Sequence, residues 1–450
     1  MHTSNDTTLS LTTDMLEEMI DVCLEDSDFS DDFLTPPKRK RRHDRSLENS
    51  SGKKQMVKYN RARAKQAVLD DYLGPIPIFK DRQFERVFRI AKSKAEWIIG
   101  NLAKYDPFWT QTYDAIGRPS IAPEVKFLAA QKKLCYGVSF SAFQDYFQMG
   151  DSTARLCVSK LTRGIVNCPE IADVYLRNMT RSDAKKTTEL HQDKHEIDGM
   201  LGSLDVMKVH WGNCPIAWKG QFKGKEGVPT IGLEAFCDYN LWIWHDCFGF
   251  PGALNDINIW ERSTLFESFQ DGSFSELDFE YLLNGELFDQ LFLLVDGIYP
   301  ALSRFVKTIS VPITKIDRNF TGWQEGSRKD IERAFGVLQK KFHFLVHSIQ
   351  MHEREDIFYA VRSCVAMHNM MVEVRVDEDN QESSSFYEMV SDAIQDGTVD
   401  SVERDVLEED ANIAARMDAG DGDLNNDLVD LELRKKSDRS RFYSQRFKTV

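Results

Sequence analysis

No two cysteines of this 450-residue chain form a Cys-x-x-Cys pair; the eight lie scattered at 23, 135, 157, 168, 214, 237, 247 and 364. That excludes a zinc ribbon and a disulfide scaffold, and suits a reducing compartment. No stretch approaches the ~18 consecutive apolar residues of a bilayer span, and the polar N-terminus lacks the apolar core of a signal peptide. The expectation is a soluble intracellular protein with no membrane partner. Basic residues are absent from the first 34 positions, which hold 10 acids, and positions 377–432 hold 19 acids against two arginines. These segments carry −10 and −17, so of the formal −15 of the chain everything else carries +12. Whole-chain acidity therefore does not exclude a nucleic-acid partner.

What is present, 42% hydrophobic and 11% aromatic residues, suffices for two or three packed domains. The acidic start carries Met15, Met19 and Val22 at helical spacing. It reads as a solvating disordered arm or as an amphipathic segment that folds on a partner. Pro36-Pro37 then lead into Lys38, Arg39, Lys40, Arg41 and Arg42. A compact basic run beside prolines has the form of a nuclear localisation signal, with nonspecific phosphate contact as the other reading. The arm spans 1–64.

A helical region, 65–190, follows. Pro123 opens a helix through Val125, Leu128, Ala129 and Leu134 that stops at Gly137. Ser139 caps a second through Phe147, and Met149-Gly150-Asp151 turns into a third, from Ser152 to about Val166. On the third, Arg155, Lys160 and Arg163 surround an apolar stripe of Leu156, Leu161 and Ile165. Two short helices joined by a glycine turn match a helix-turn-helix, with those basic residues toward DNA; a helical bundle wetting the same residues fits equally. His191-x3-His195 falls in the polar stretch 185–196 and reads as solvated linker rather than a metal pair, as does His343-x3-His347. His368-Asn369 reads as buried.

From 197 to 374 the pattern changes to strands. The apolar run 199–205 ends on Asp205; runs 229–238 and 241–250 form a hairpin about Tyr239-Asn240. Between them Lys219 and Lys223 are candidates for DNA phosphate contact. Asp256 reads first as a helix cap, with a place near the metal-binding acids as the other reading, and 267–290 as a surface insertion. Leu291–Asp296 is a buried strand ending on a carboxylate, Val311–Lys315 a short edge strand, and Arg328 opens a helix with apolar residues at Ile331, Phe335, Leu338, Phe342 and Leu345. Glu332 borders that stripe. The sum is an α/β mixed sheet with covering helices on both faces, preceded by the helical domain and followed by an acidic tail, 375–450, that ends basic.

Asp205, Asp296 and Glu332 are the hard oxygen ligands that could hold two Mg²⁺ or Mn²⁺ ions about 4 Å apart for phosphoryl transfer. Spacing alone also allows two helix caps and a solvated face. The motifs Gly202-Ser-Leu-Asp205, Asn213-Cys-Pro, Ala217-Trp-Lys-Gly220, Leu241-Trp-Ile-Trp-His245, Pro251-Gly-Ala-Leu-Asn-Asp256, Val295-Asp-Gly-Ile-Tyr-Pro300 and Asp330-Ile-Glu-Arg-Ala-Phe-Gly336 resemble, in order, those of PIF/Harbinger-type DDE transposases, in the subgroup called plant transposon protein. The resemblance covers roughly 84–372. It implies an RNase H-like sheet with the catalytic triad Asp205, Asp296 and Glu332 at one end. It also implies Mg²⁺- or Mn²⁺-dependent cutting and joining of double-stranded DNA at terminal inverted repeats and target sites, in the nucleus. A separate Myb-like partner and a homo-oligomer are expected with it. One departure is Lys208, where the family commonly has histidine three residues after the first acid. A transposase-derived DNA-binding or scaffold protein without cleavage is the alternative.

Overall fold

The computed structural model describes residues 58–395 apart from Asn284, with side chains as far as Asp377. The basic run Lys38–Arg42 and the tail beyond 395 lie outside the described residues. Among the described residues eight α-helices come first: α1 Arg61–Val68, α2 Asp81–Phe88, α3 Lys92–Tyr105, α4 Pro123–Tyr136, α5 Gln144–Phe147, α6 Asp151–Asn167, α7 Pro169–Tyr175 and α8 Arg181–His195. α4 runs as expected, from Pro123 in its first turn to Gly137, whose φ of 65° ends it. A Cβ at Gly137 would lie 2.8 Å from the His347 ring, so the close approach also requires glycine.

The helix expected from Ser139 to Phe147 is instead a 3₁₀ turn, Phe140–Ala142, followed by the single turn of α5. Ser139 makes no side-chain cap; its hydroxyl accepts from the Ser141 hydroxyl, and a hydroxyl spent locally leaves the helix start without its partner. On α6, Leu161 and Ile165 are buried but Leu156 is 47% exposed. The buried stripe runs instead through Ala154, Cys157, Val158 and Leu161.

The sheet has five strands in the order β3-β2-β1-β6-β7. They are β1 Met200–His210, β2 Thr230–Cys237, β3 Ile243–Pro251, β6 Phe292–Leu294 and β7 Phe305–Val306; β4 Tyr281–Leu283 and β5 Glu286–Phe288 form a separate hairpin. β1 pairs antiparallel with β2 and parallel with β6, so the sheet is mixed. Every residue of β2 is buried, as a central strand covered on both faces must be. The expected edge strand at Val311–Lys315 does not form. Pro312 offers no N–H to a ladder, Val311 and Ile313 are 74% and 77% exposed, and the edge is β7.

Between β3 and β6 lie α10 Asp256–Trp260 and α11 Thr264–Gln270, after the short α9 Lys219–Phe222. The stretch 267–290 is not mere surface, since Phe274, Leu277 and Leu283 are buried. Two long helices complete the fold, α12 Lys315–Lys341 and α13 Arg354–Gln395. α12 starts well before Arg328 because Thr314 and Asp317 form a capping box. Its buried residues Phe320, Gln324, Ser327, Ile331, Ala334 and Leu338 recur at three- and four-residue steps and face the sheet. Each large apolar side chain so buried contributes about 1.5–3 kcal/mol.

One apolar cluster joins α1–α7 residues, the β1–β3 face, α12 and α13. α13 closes the β3 edge: Asn369 accepts from the Ile243 N–H (2.9 Å) and donates to the carbonyls of Ile243 (2.8 Å) and Tyr175 (2.9 Å). His368, fully buried as expected, donates to the Leu241 carbonyl (2.8 Å). The described cysteines are buried and form no disulfide. Among the described residues no helix is long and apolar enough to cross a membrane.

Candidate active site

On β1 the side chains of Ser203, Asp205 and Met207 all touch α12, as alternation along a strand requires. Ser203 Oγ donates to the Ser327 carbonyl (3.4 Å), and Gln339 donates to Met207 Sδ (3.2 Å). Asp205 lies between them. The strand can enter at this angle because residue 202 is glycine: a Cβ there would stand 2.2 Å from the Cys237 carbonyl oxygen, beside a register shift between Met200 and Gly202.

Asp205 and Glu332 are joined through one residue that sequence reasoning did not single out. Arg328 Nη1 lies 3.3 Å from Asp205 Oδ2, and its Nη2 lies 2.9 Å from Glu332 Oε1. Arg328 precedes Glu332 by one helical turn, a spacing that was visible in the sequence. Glu332 is half exposed and Asp205 largely covered, at 49% and 24% of their side chains. Asp296 follows β6, the parallel neighbour of β1, and is exposed, with Oδ1 accepting from the Gly297 N–H.

A fourth acid joins them. Asp256 is not the cap expected: Asn255 caps α10, its Oδ1 accepting from the Asn258 N–H at 2.9 Å, which leaves the Asp256 carboxylate free of that task. Burial pushes the Asp205 carboxyl up from its ordinary range; the Val206 N–H and Arg328 oppose that, and the like charges of Asp256 and Asp296 add to it. Asp256 is likewise raised by burial, with Lys208 and Lys225 pulling it down and Asp296 and Glu226 pushing it up. Beneath the acids Tyr299 is 1% exposed with a hydroxyl that has no hydrogen-bond partner. Burial raises it well above its ordinary value, and Glu234, Asp205, Asp256 and Asp296 all add to the rise. Lys208 points from the opposite face of β1 and donates to the carbonyls of Gly252 (2.9 Å) and Leu254 (3.1 Å), which fixes the loop that carries Asp256.

Carboxylates pushed upward by one another and by burial are stabilised by a cation among them. The donor set, oxygen alone, suits Mg²⁺ or Mn²⁺. Arg328 is the cation now lying between Asp205 and Glu332, so an ion shared by those two has to displace it. Asp205, Asp296 and Glu332 are not drawn together as tightly as another set. Among the described residues, the group of metal-type ligands with atoms all within 4.8 Å of one another is His191, His195 and Asp330. The solvated-linker reading of His191 and His195 is therefore corrected: both lie on α8, with His191 fully buried. The polar spacing hid this because Ala184, Thr187, Thr188 and His191 form its one buried stripe, mostly of small polar residues.

The basic candidates are divided. Arg155 on α6 and Lys219 and Lys223 on and after α9 are exposed. Lys160 is paired with Asp106 at 2.7 Å, and Arg163 with Glu355 (2.5 Å) and Asp356 (3.0 Å) of α13.

With that geometry in view, residues 173–380 match the model of the family described as plant transposon protein. Over those residues the chain is similar to plant transposon proteins, the subgroup whose motif series the sequence resembles. Similar curated proteins bear the name "Putative nuclease HARBI1". The one from Homo sapiens is 20% identical over 262 residues, 57% of this chain and 70% of that protein, and the one from Bos taurus is 20% identical over 263 residues with the same shares. No solved structure matches.

Proposed function

We propose that this protein is a metal-dependent DNA endonuclease of the transposase type, which cuts and joins DNA at element ends. The observation that carries the reading is Arg328 spanning Asp205 and Glu332 beside Asp296, where β6 ends alongside the middle of β1 in a mixed sheet. We read that sheet as RNase H-like, on its three antiparallel strands followed by parallel ones. Asp205, Asp296 and Glu332 would hold two Mg²⁺ or Mn²⁺ ions, which when bound activate the attacking water or 3′-hydroxyl and stabilise the leaving oxygen. Tyr299 and Asp256 shape the field beneath them. Arg155, Lys219 and Lys223 are the exposed cations offered to double-stranded DNA, and α4 to α6 are read as the helix-turn-helix-like part that holds terminal repeats. Nuclear entry through Lys38–Arg42, a Myb-like partner and self-association complete the proposal.

The printed name of the relatives, a nuclease, supports the same direction. The test is strand cleavage of duplex DNA carrying element ends by the full chain, with Mg²⁺ or Mn²⁺. The parent should cleave, and Glu332→Gln, Asp205→Asn and Asp296→Asn should each lose on the order of a hundredfold or more, several kcal/mol of barrier. Cleavage by Glu332→Gln at the parent rate would overturn the assignment. A second reading, a DNA-binding scaffold without cleavage, draws on the same Arg328, whose guanidinium already pairs with two of the three acids; an inactive parent that still binds DNA would select it.

A further inference from the structure

His191 is the least satisfied polar side chain near the sheet. It is fully buried, and neither ring nitrogen has a hydrogen-bond partner of ordinary geometry; the backbone of Leu201 acts on it only weakly. Its ring stacks on that of His195, one helical turn on, with centroids 5.6 Å apart and planes 16° from parallel. His195 Nε2 lies 2.6 Å from Asp330 Oδ2, whose carboxylate is 2% exposed, and Arg333 Nη1 holds the other oxygen at 2.7 Å. Trp323 Nε1 donates to the His195 carbonyl at 3.0 Å, which fixes the end of α8 against α12.

A histidine–carboxylate pair explains His195 and Asp330. It leaves His191 unexplained, and a buried polar group without a partner costs roughly 1–3 kcal/mol. We infer that His191, His195 and Asp330 form a binding site for a transition-metal ion of the Zn²⁺ class, tying α8 to α12 and separate from the carboxylate site. Two histidines at i and i+4 present nitrogens on one helix face, and a buried carboxylate from another element supplies the third ligand. Such a set, with a fourth position for water, is ordinary zinc chemistry, whereas Mg²⁺ would demand oxygens. Tetrahedral bonds of about 2.0–2.1 Å place ligand atoms roughly 3.3 Å apart. The 2.6 Å contact therefore opens slightly while the wider separations, all within 4.8 Å, close. The proton shared by His195 and Asp330 leaves to solvent as the ion enters. Arg333, carried by the same helix, holds the second oxygen as an outer partner. The site is independent of whether the carboxylate site cleaves DNA.

The test loads the full chain with Zn²⁺, dialyses it and measures bound metal, and repeats the loading with Co²⁺ to read the visible absorption of a tetrahedral N/O site. The parent should retain one equivalent per chain. His191→Leu, which replaces the unpartnered ring by an apolar group, should fold and bind at least roughly tenfold more weakly, with loss of the Co²⁺ band; Asp205→Asn should retain both. If His191→Leu does not fold, His195→Asn is judged by the same two readouts. Zn²⁺ should raise the melting temperature of the parent and of Asp205→Asn but not of the His variants. A parent that retains less than about a tenth of an equivalent, a His variant that binds like the parent, or a Co²⁺ band lost in Asp205→Asn instead, would each overturn the site.

Discussion

Asp330 and Glu332 stand two residues apart on α12 and serve different surroundings: Asp330 is buried against His195, while Glu332 is half exposed against Arg328. Positions i and i+2 of a helix point to different faces, so one short motif presents an acid to each of two different surroundings. Any rotation of α12 that improves one set of contacts disturbs the other.

Arg328→Gln removes the guanidinium from between Asp205 and Glu332. Without divalent ions the variant should melt lower, by what partly exposed pairs contribute, about 0–1 kcal/mol. Added Mg²⁺ should then stabilise it more than it stabilises the parent, because no cation has to be displaced. Melting curves in chelator and in Mg²⁺ decide; equal Mg²⁺ shifts would show that Arg328 is not in the path of an ion.

Asp256→Asn separates capping from electrostatics. Asn255 already caps α10, so the fold should be unaffected or slightly more stable once a carboxylate raised by burial is gone. The Mg²⁺ concentration needed for half-maximal cleavage should rise roughly threefold or more, since one negative charge has left the cluster. An unchanged Mg²⁺ dependence would return Asp256 to a structural part.

Arg155 and Arg163 should part company. Arg155→Ala should leave urea denaturation unchanged and reduce the salt slope of DNA binding by about one. Arg163→Ala loses two carboxylate partners and its stacking on Tyr359; it should cost about 1 kcal/mol of stability. The reverse assignment of losses would mean that α6 meets DNA through the face now turned to α13.

His368 gives the fold an acid limit. Burial pushes its imidazole down to about 3 from 6.5, so the folded chain refuses a proton that the unfolded chain accepts. This stabilising contribution is complete above about pH 6.5 and is lost as pH falls toward 3, about 2 kcal/mol of it by pH 5. His368→Gln, which keeps a donor for the Leu241 carbonyl, should lower stability at pH 7 yet flatten its decline between pH 7 and 5. Parallel denaturation curves of parent and variant at both pH values would refute the argument.

The strands that carry Asp205 and lead to Asp296 and the hairpin about Tyr239-Asn240 were legible because apolar runs and turn residues are local signals, although β1 does not end on Asp205 but runs on to His210. The seven motifs carried the resemblance that the family match over residues 173–380 repeats. What escaped was set by partners distant in the chain. Nothing near His191 announces that Asp330 faces it from α12, and nothing near Arg163 announces Glu355. The first reading of Asp256, as a cap, fails because Asn255, its neighbour, takes the same cap, while its other reading, beside the acids, agrees with its charge acting on Asp205. The strand expected at Val311–Lys315 failed on one proline, while the true edge at Phe305–Val306 is too short for periodicity to show.

The way the sheet ends bears on how copies of this chain can associate. On one side Asn369 pairs with the backbone of Ile243 and α13 lies against β3. On the other, β7 is two residues long, and Gln324 of α12 donates to its Val306 carbonyl at 2.9 Å. Neither margin offers a free ladder to a second chain. Strand addition at either margin of this five-stranded sheet is thereby closed off, and a second copy meeting these margins would touch helices and loops, whose contacts can be altered without opening the sheet that carries Asp205.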